Sequence, residues 1–90
     1  MSHTIHQKSK LLARVRRIKG QLEAAERALE AEAGCGQVLQ LLASIRGAMN
    51  GLTAELMEDH LREHVMAAES DKARADGGEE LIEVIRTYMR

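Results

Sequence analysis

The side chains able to do chemistry in this chain are one thiol and four imidazoles. Cys35 is the only cysteine, and the histidines are His3, His6, His60 and His64. Four residues separate His60 from His64, so on a helix both project from one face. A thiolate, two imidazoles on one face and an N-terminal imidazole make a ligand set for a borderline-soft divalent metal ion. Cys35 stands between Gly34 and Gly36. A single cysteine forms no intrachain disulfide, which fits a reducing compartment.

His60-Leu61-Arg62-Glu63-His64 also spells H-x-x-E-H, the inverted zinc-peptidase motif. A peptidase needs a third ligand, a substrate cleft and a supporting scaffold. Ninety residues with Tyr88 as the one aromatic provide little of that. We read the motif as a chance match and Glu63 as a solvated or supporting carboxylate.

Two long helices must position these groups. Leu11, Val15, Ile18, Leu22, Ala25 and Leu29 step by four and three residues in turn, which is a heptad seam on a helix from about Ile5 to Glu30. Two glycines between residues 31 and 36 break the pattern. Val38, Leu42, Ile45, Met49, Leu52 and Leu56 repeat it on a second helix from about Gly36 to Met66. Continuing that seam in steps of four lands on His60 and His64, so the stripe turns from aliphatic to imidazole. Residues 69–80, with Gly77-Gly78, predict a loop. Leu81, Ile82, Val84, Ile85, Tyr88 and Met89 predict a short terminal helix.

Two long helices joined by a short turn make an antiparallel hairpin that cannot bury both sides of its seam alone, so a dimer at least is expected. Gly47, Gly51 and Asn50 in the second helix suggest close approach of another helix and a register-fixing polar group. A straight helix between Cys35 and His60 spans roughly 37 Å. The expectation is therefore that an antiparallel partner helix brings the thiol of one chain to the histidines of another, where a metal would bridge two subunits.

Composition narrows the class. The chain has no proline, phenylalanine or tryptophan, which suits long helices and an aliphatic core. It reads as one domain, residues 1–90. No apolar run of about 18 residues exists to span a membrane, and residues 1–10 lack an apolar signal core, so a cytoplasmic protein is expected. The net charge of −1 hides a polarised distribution. Residues 1–22 carry Lys8, Lys10, Arg14, Arg16, Arg17 and Lys19 and no acid, while all 14 acids follow. Such a basic segment on an acidic body can track phosphates. No helix-turn-helix, zinc-finger or aromatic stacking signature accompanies it. Metal ligands plus this segment point to a metal-responsive DNA binder.

The stretches from Arg14 to Gln21 and from Arg46 to Leu52, with Cys35 and the run His60 to His64, resemble the CsoR/RcnR family of small helical repressors, over essentially the whole chain. The resemblance implies an all-α fold: a three-helix protomer with a long antiparallel hairpin, paired into a dimer and then a disc-shaped tetramer. It implies operator binding by the metal-free form and release on effector binding, derepressing an efflux or detoxification gene. Copper(I) sensors of the family carry a second cysteine where this chain has His64, and persulfide sensors also need two. Formaldehyde sensors pair the cysteine with an N-terminal proline, whereas position 2 here is Ser2. The nickel/cobalt branch carries the set present here: His3, Cys35, His60 and His64. The resemblance thus implies Ni(II) or Co(II) as effector, with Zn(II) as a further candidate and the N-terminal amine as an additional ligand after removal of Met1. DNA contacts are expected from Lys10, Arg14, Arg16, Arg17 and Lys19. Gly34 departs from the acidic residue of some relatives, and His6 has no assigned role. The alternative reading is a formaldehyde-responsive repressor acting through Cys35 and the N-terminal amine; a coiled-coil adaptor is a third, and an enzyme is disfavoured.

Overall fold

The computed structural model describes residues 7–89. Within them lie three α-helices: α1, Lys8–Glu30; α2, Cys35–Leu61; and α3, Asp71–Tyr88. A π-helical turn, Arg62–Met66, follows α2 directly. The expected start of α1 at Ile5 lies outside the described residues, as do His3 and His6. The chain divides into two compact units, residues 7–53 and the part from residue 54 onward.

In the first unit α1 and the first two thirds of α2 form the expected hairpin. Arg14 lies beside Gly51, and Gln21 donates through Nε2 to Ser44 Oγ at 3.1 Å. One helix advances seven residues while the other retreats seven, so the pair is antiparallel. Ile18, Ala25 and Ile45 form the buried cluster, with Leu41, Ala48 and Leu52 packed against it. The heptad seams split cleanly. Leu11, Ile18, Ala25, Val38 and Ile45, spaced by sevens on each helix, are buried. The alternate seam positions Val15, Leu22, Leu29, Leu42 and Met49 are 44–63% exposed. Half of each stripe thus serves the hairpin, and the other half is left open. Among the described residues no large side chain is completely hidden, which is what a two-helix layer allows.

The hairpin turn is a Schellman motif: the Ala33 N–H bonds the Ala28 carbonyl and the Glu32 N–H bonds that of Leu29. Glu32 holds the left-handed position, φ 55°, that glycine usually takes. α2 then opens with the Gly34 carbonyl accepting from Gln37 and Val38 N–H groups.

The second unit corrects two expectations. The α-helical ladder of α2 stops at Leu61 rather than Met66, because the Ala67 N–H reaches back five residues to the Arg62 carbonyl. Of residues 69–80 only the first two lie outside a helix: α3 begins at Asp71 and carries Gly77-Gly78 within it. Ser70 caps its start by accepting from the Ala73 N–H at 3.0 Å, with Asp71 in the first turn. The ion pairs Asp71–Arg74 and Lys72–Asp76, both at 2.9 Å, support the first two turns. The glycines that read as a break are tolerated because one of them meets another backbone. Among the described residues no helix is long and apolar enough to cross a membrane.

Candidate metal centre and basic groove

The second unit holds the two helix-borne histidines. His60 lies on the last turn of α2 and His64 in the π-helical turn, with ring centroids 4.9 Å apart and planes tilted by 41°. At that separation two imidazoles can both reach one ion, about 2.1 Å from each ligating nitrogen. His60 is oriented by α3: its Nε2 lies 2.9 Å from the Gly77 carbonyl oxygen and 3.8 Å from Glu80 Oε1. A carbonyl only accepts, so Nε2 carries the proton, and in the neutral ring Nδ1 keeps its lone pair. That is the arrangement of a metal-ligating histidine, whose second nitrogen donates to a carbonyl or carboxylate.

α3 grips the same turn at several points. Arg74 donates through Nε to the Val65 carbonyl at 3.2 Å and through Nη2 to that of Ala68 at 3.1 Å. The Val65 carbonyl also accepts from the Ala68 N–H at 3.4 Å, so Arg74 ties the last turn to the residues that follow it. Gly77 is buried, and its α-carbon faces the His64 backbone so closely that a Cβ would collide with the His64 carbonyl group. A groove of about 510 Å³ runs beside His64, with Glu63, Glu69, Asp76 and Glu80 along it. Asp59, one residue before His60, is buried and lies 4.0 Å from Arg62 Nη1.

Cys35 belongs to the first unit, where it opens α2 as an exposed free thiol. Among the described residues no three of His, Cys, Asp and Glu gather into a metal-holding group. Of the four expected ligands, the structure therefore joins His60 to His64, has Cys35 in the other unit, and leaves His3 outside the described residues.

The expected DNA-binding residues divide as well. Arg14 and Arg17 converge on a groove of about 330 Å³ in the first unit, lined also by Gln21, Ser44, Gly47 and Gly51. Lys10, Arg16 and Lys19 are exposed on α1 but do not line it. Helical geometry puts Arg16 about 200° around the axis from Arg14. Gly47 meets nothing within 4 Å, and a Cβ on Gly51 would lie 3.6 Å from the Arg14 guanidinium. Within the chain these glycines thus leave space beside two arginines of α1. Gln21, Ser44, Arg74 and Gly77 were not singled out from the residues. The Gly77-Gly78 pair is the one available signal, and by itself it predicts a loop.

Comparison with known proteins resolves what kind of protein carries these two sites. A family model described as a metal-sensitive transcriptional repressor matches residues 7–87. The chain belongs to that repressor family. Its members are regulators and not enzymes, which disposes of the peptidase motif. The chain is 41% identical over 90 residues to the transcriptional repressor RcnR of Citrobacter koseri, covering all of both chains. It is 54% identical over 91 residues, again covering both fully, to an uncharacterised Serratia marcescens protein encoded in the bioA 5′ region. Among solved structures, a variant of the formaldehyde-responsive regulator FrmR from Salmonella enterica serovar Typhimurium superposes with a TM-score of 0.87 at 44% identity, covering 96% of this chain and 98% of that one. The copper-sensing repressor CsoR of Geobacillus thermodenitrificans, solved with Cu(I), superposes at 0.90 with 22% identity over 100% and 94% of the two chains, and so supports the all-helical fold alone.

Proposed function

We propose that this chain is a nickel- or cobalt-responsive repressor whose metal-free form binds operator DNA and whose metal-bound form lets it go. The carrying observation is the paired His60 and His64 beside α3, with Nδ1 of His60 presented by the Gly77 hydrogen bond. Cys35 and His3 are the other proposed ligands, and the N-terminal amine adds a further one. Imidazoles with one thiolate suit Ni(II), Co(II) or Zn(II) and not Cu(I), which prefers softer sets. Zinc is content with four ligands, whereas six-coordinate nickel or cobalt calls on the N-terminus as well.

The helix length between Cys35 and His60 favours a site shared between chains, with Cys35 of one joining His60 and His64 of another. The open half of each heptad seam favours the same assembly, a dimer and then a tetramer, with residues 1–90 acting as one domain. Bound metal would supply a charged tie between subunits and N-termini. Drawing residues 1–5 to the metal would bias the helix that carries Arg14 and Arg17. A coupling of about 1–3 kcal/mol suffices for such release. Lys10, Arg14, Arg16, Arg17 and Lys19 supply phosphate contacts, and Arg14 and Arg17 line a groove together. Acting on operator DNA, the protein works in the cytoplasm.

The exposed Cys35 keeps one alternative in view: a formaldehyde-responsive repressor using Cys35 and the N-terminal amine. Titrating the reduced apo-protein on DNA from its own promoter with Ni(II), Co(II), Zn(II), Cu(I) and formaldehyde separates the two. We expect release at stoichiometric Ni(II) or Co(II). Release by formaldehyde alone transfers the function to Cys35 chemistry, and absence of DNA binding at every salt concentration refutes both.

A further inference from the structure

We propose that Gly77 is a positioning residue for the metal centre: its missing side chain lets α3 approach the His64 backbone closely enough for its own carbonyl to hold His60 in the metal-ready tautomer. The proposal rests on the reading of His60 as a ligand.

Three observations converge on this one residue. A Cβ at position 77 would collide with the His64 carbonyl oxygen and carbon and come within 3.0 Å of the His64 Cβ. Two of those atoms are backbone, so no rotamer change makes room; α3 has to move. The Gly77 carbonyl is also the acceptor, at 2.9 Å, for His60 Nε2. A shift of α3 therefore removes the very bond that sets which His60 nitrogen is open. Finally, Arg74 pins the turn from the same helix through the Val65 and Ala68 carbonyls, so the turn cannot simply follow by swinging away. One glycine thus couples two adjacent histidines: it touches the backbone of one and orients the ring of the other. Its neighbour supplies the contrast. Gly78 meets nothing within 4 Å, so a methyl group there costs no contact.

The experiment compares the full-length protein with Gly77→Ala, Gly78→Ala and His60→Ala. Both glycine substitutions raise helix propensity equally, so any difference between them reports the contact. Nickel affinity is measured by competition with a chelator, and the tautomer of His60 in the metal-free protein by nitrogen-15 NMR of the imidazole. Loss of a group that orients a ligating histidine costs on the order of 10–100-fold in metal affinity. We expect that loss for Gly77→Ala and none for Gly78→Ala, with His60 protonated on Nε2 in the wild type and no longer uniquely so in Gly77→Ala. Equal affinities for the two glycine variants overturn the proposal. So does a wild-type His60 protonated on Nδ1, a result that stands even if Gly77→Ala fails to fold. Unchanged nickel affinity in His60→Ala overturns the ligand assignment, whereas a retained His60 tautomer in Gly77→Ala overturns the role of Gly77 alone.

Discussion

Replacing Cys35 by alanine separates a ligand from a structural cysteine. The thiol is exposed at the first turn of α2, so its removal opens no cavity. Surface changes of this kind fall within about 0.5 kcal/mol, or roughly 2–4 °C in midpoint for a domain of this size. Metal linkage is far larger. An ion at 100 times its dissociation constant stabilises the folded state by about 2.7 kcal/mol, or roughly 10–20 °C. If loss of the thiolate weakens binding about 100-fold, the same metal concentration adds only about 0.4 kcal/mol. Thermal unfolding at fixed protein concentration, with and without Ni(II), reads both quantities. We expect wild type and Cys35→Ala to melt together without metal and to separate by roughly 10 °C or more with it. A metal-free midpoint lowered by much more than 4 °C would mean that Cys35 holds the fold. A full nickel shift in the variant would mean that it does not hold the metal. Either result refutes the reasoning.

Three further outcomes follow from the geometry. Arg17→Ala should weaken operator binding and reduce the slope of log affinity against log salt by about 0.9 if Arg17 neutralises one phosphate; a fluorescence-anisotropy salt series measures this, and an unchanged slope removes Arg17 from the interface. Leu22→Glu, at a position 52% exposed on the open half of the α1 seam, should leave helical circular dichroism intact while lowering the assembly mass in sedimentation; an unchanged mass shows that this face is not the one covered. Glu32→Gly should raise the thermal midpoint by a few degrees, because the left-handed backbone at φ 55° costs a residue with a Cβ about 1 kcal/mol and the gain is partly offset by the freer unfolded chain; a lower midpoint argues that the Glu32 side chain makes a contribution of its own.

Much of the architecture was legible along the chain because a hairpin of amphipathic helices is written in local periodicity. The 4-3 spacing from Leu11 to Leu29 and from Val38 to Leu56 called for two helices, and the glycines around Cys35 called for the turn between them. The chemistry of the proposed ligands was equally local, since thiol and imidazole are properties of residues. Periodicity cannot tell which half of a seam meets which neighbour. Ile18 and Leu22 are equivalent on paper, yet one is 6% exposed and the other 52%, because a single partner helix covers only one side. Nor can it tell a turn-making glycine from a contact-making one. Gly77-Gly78 has the local character of a break, and only the packing of α3 against the His64 backbone makes a buried helical glycine the better solution. The tautomer of His60 is of the same kind. Its residue type says that one nitrogen can bind metal, but a carbonyl 17 positions away in the chain decides which.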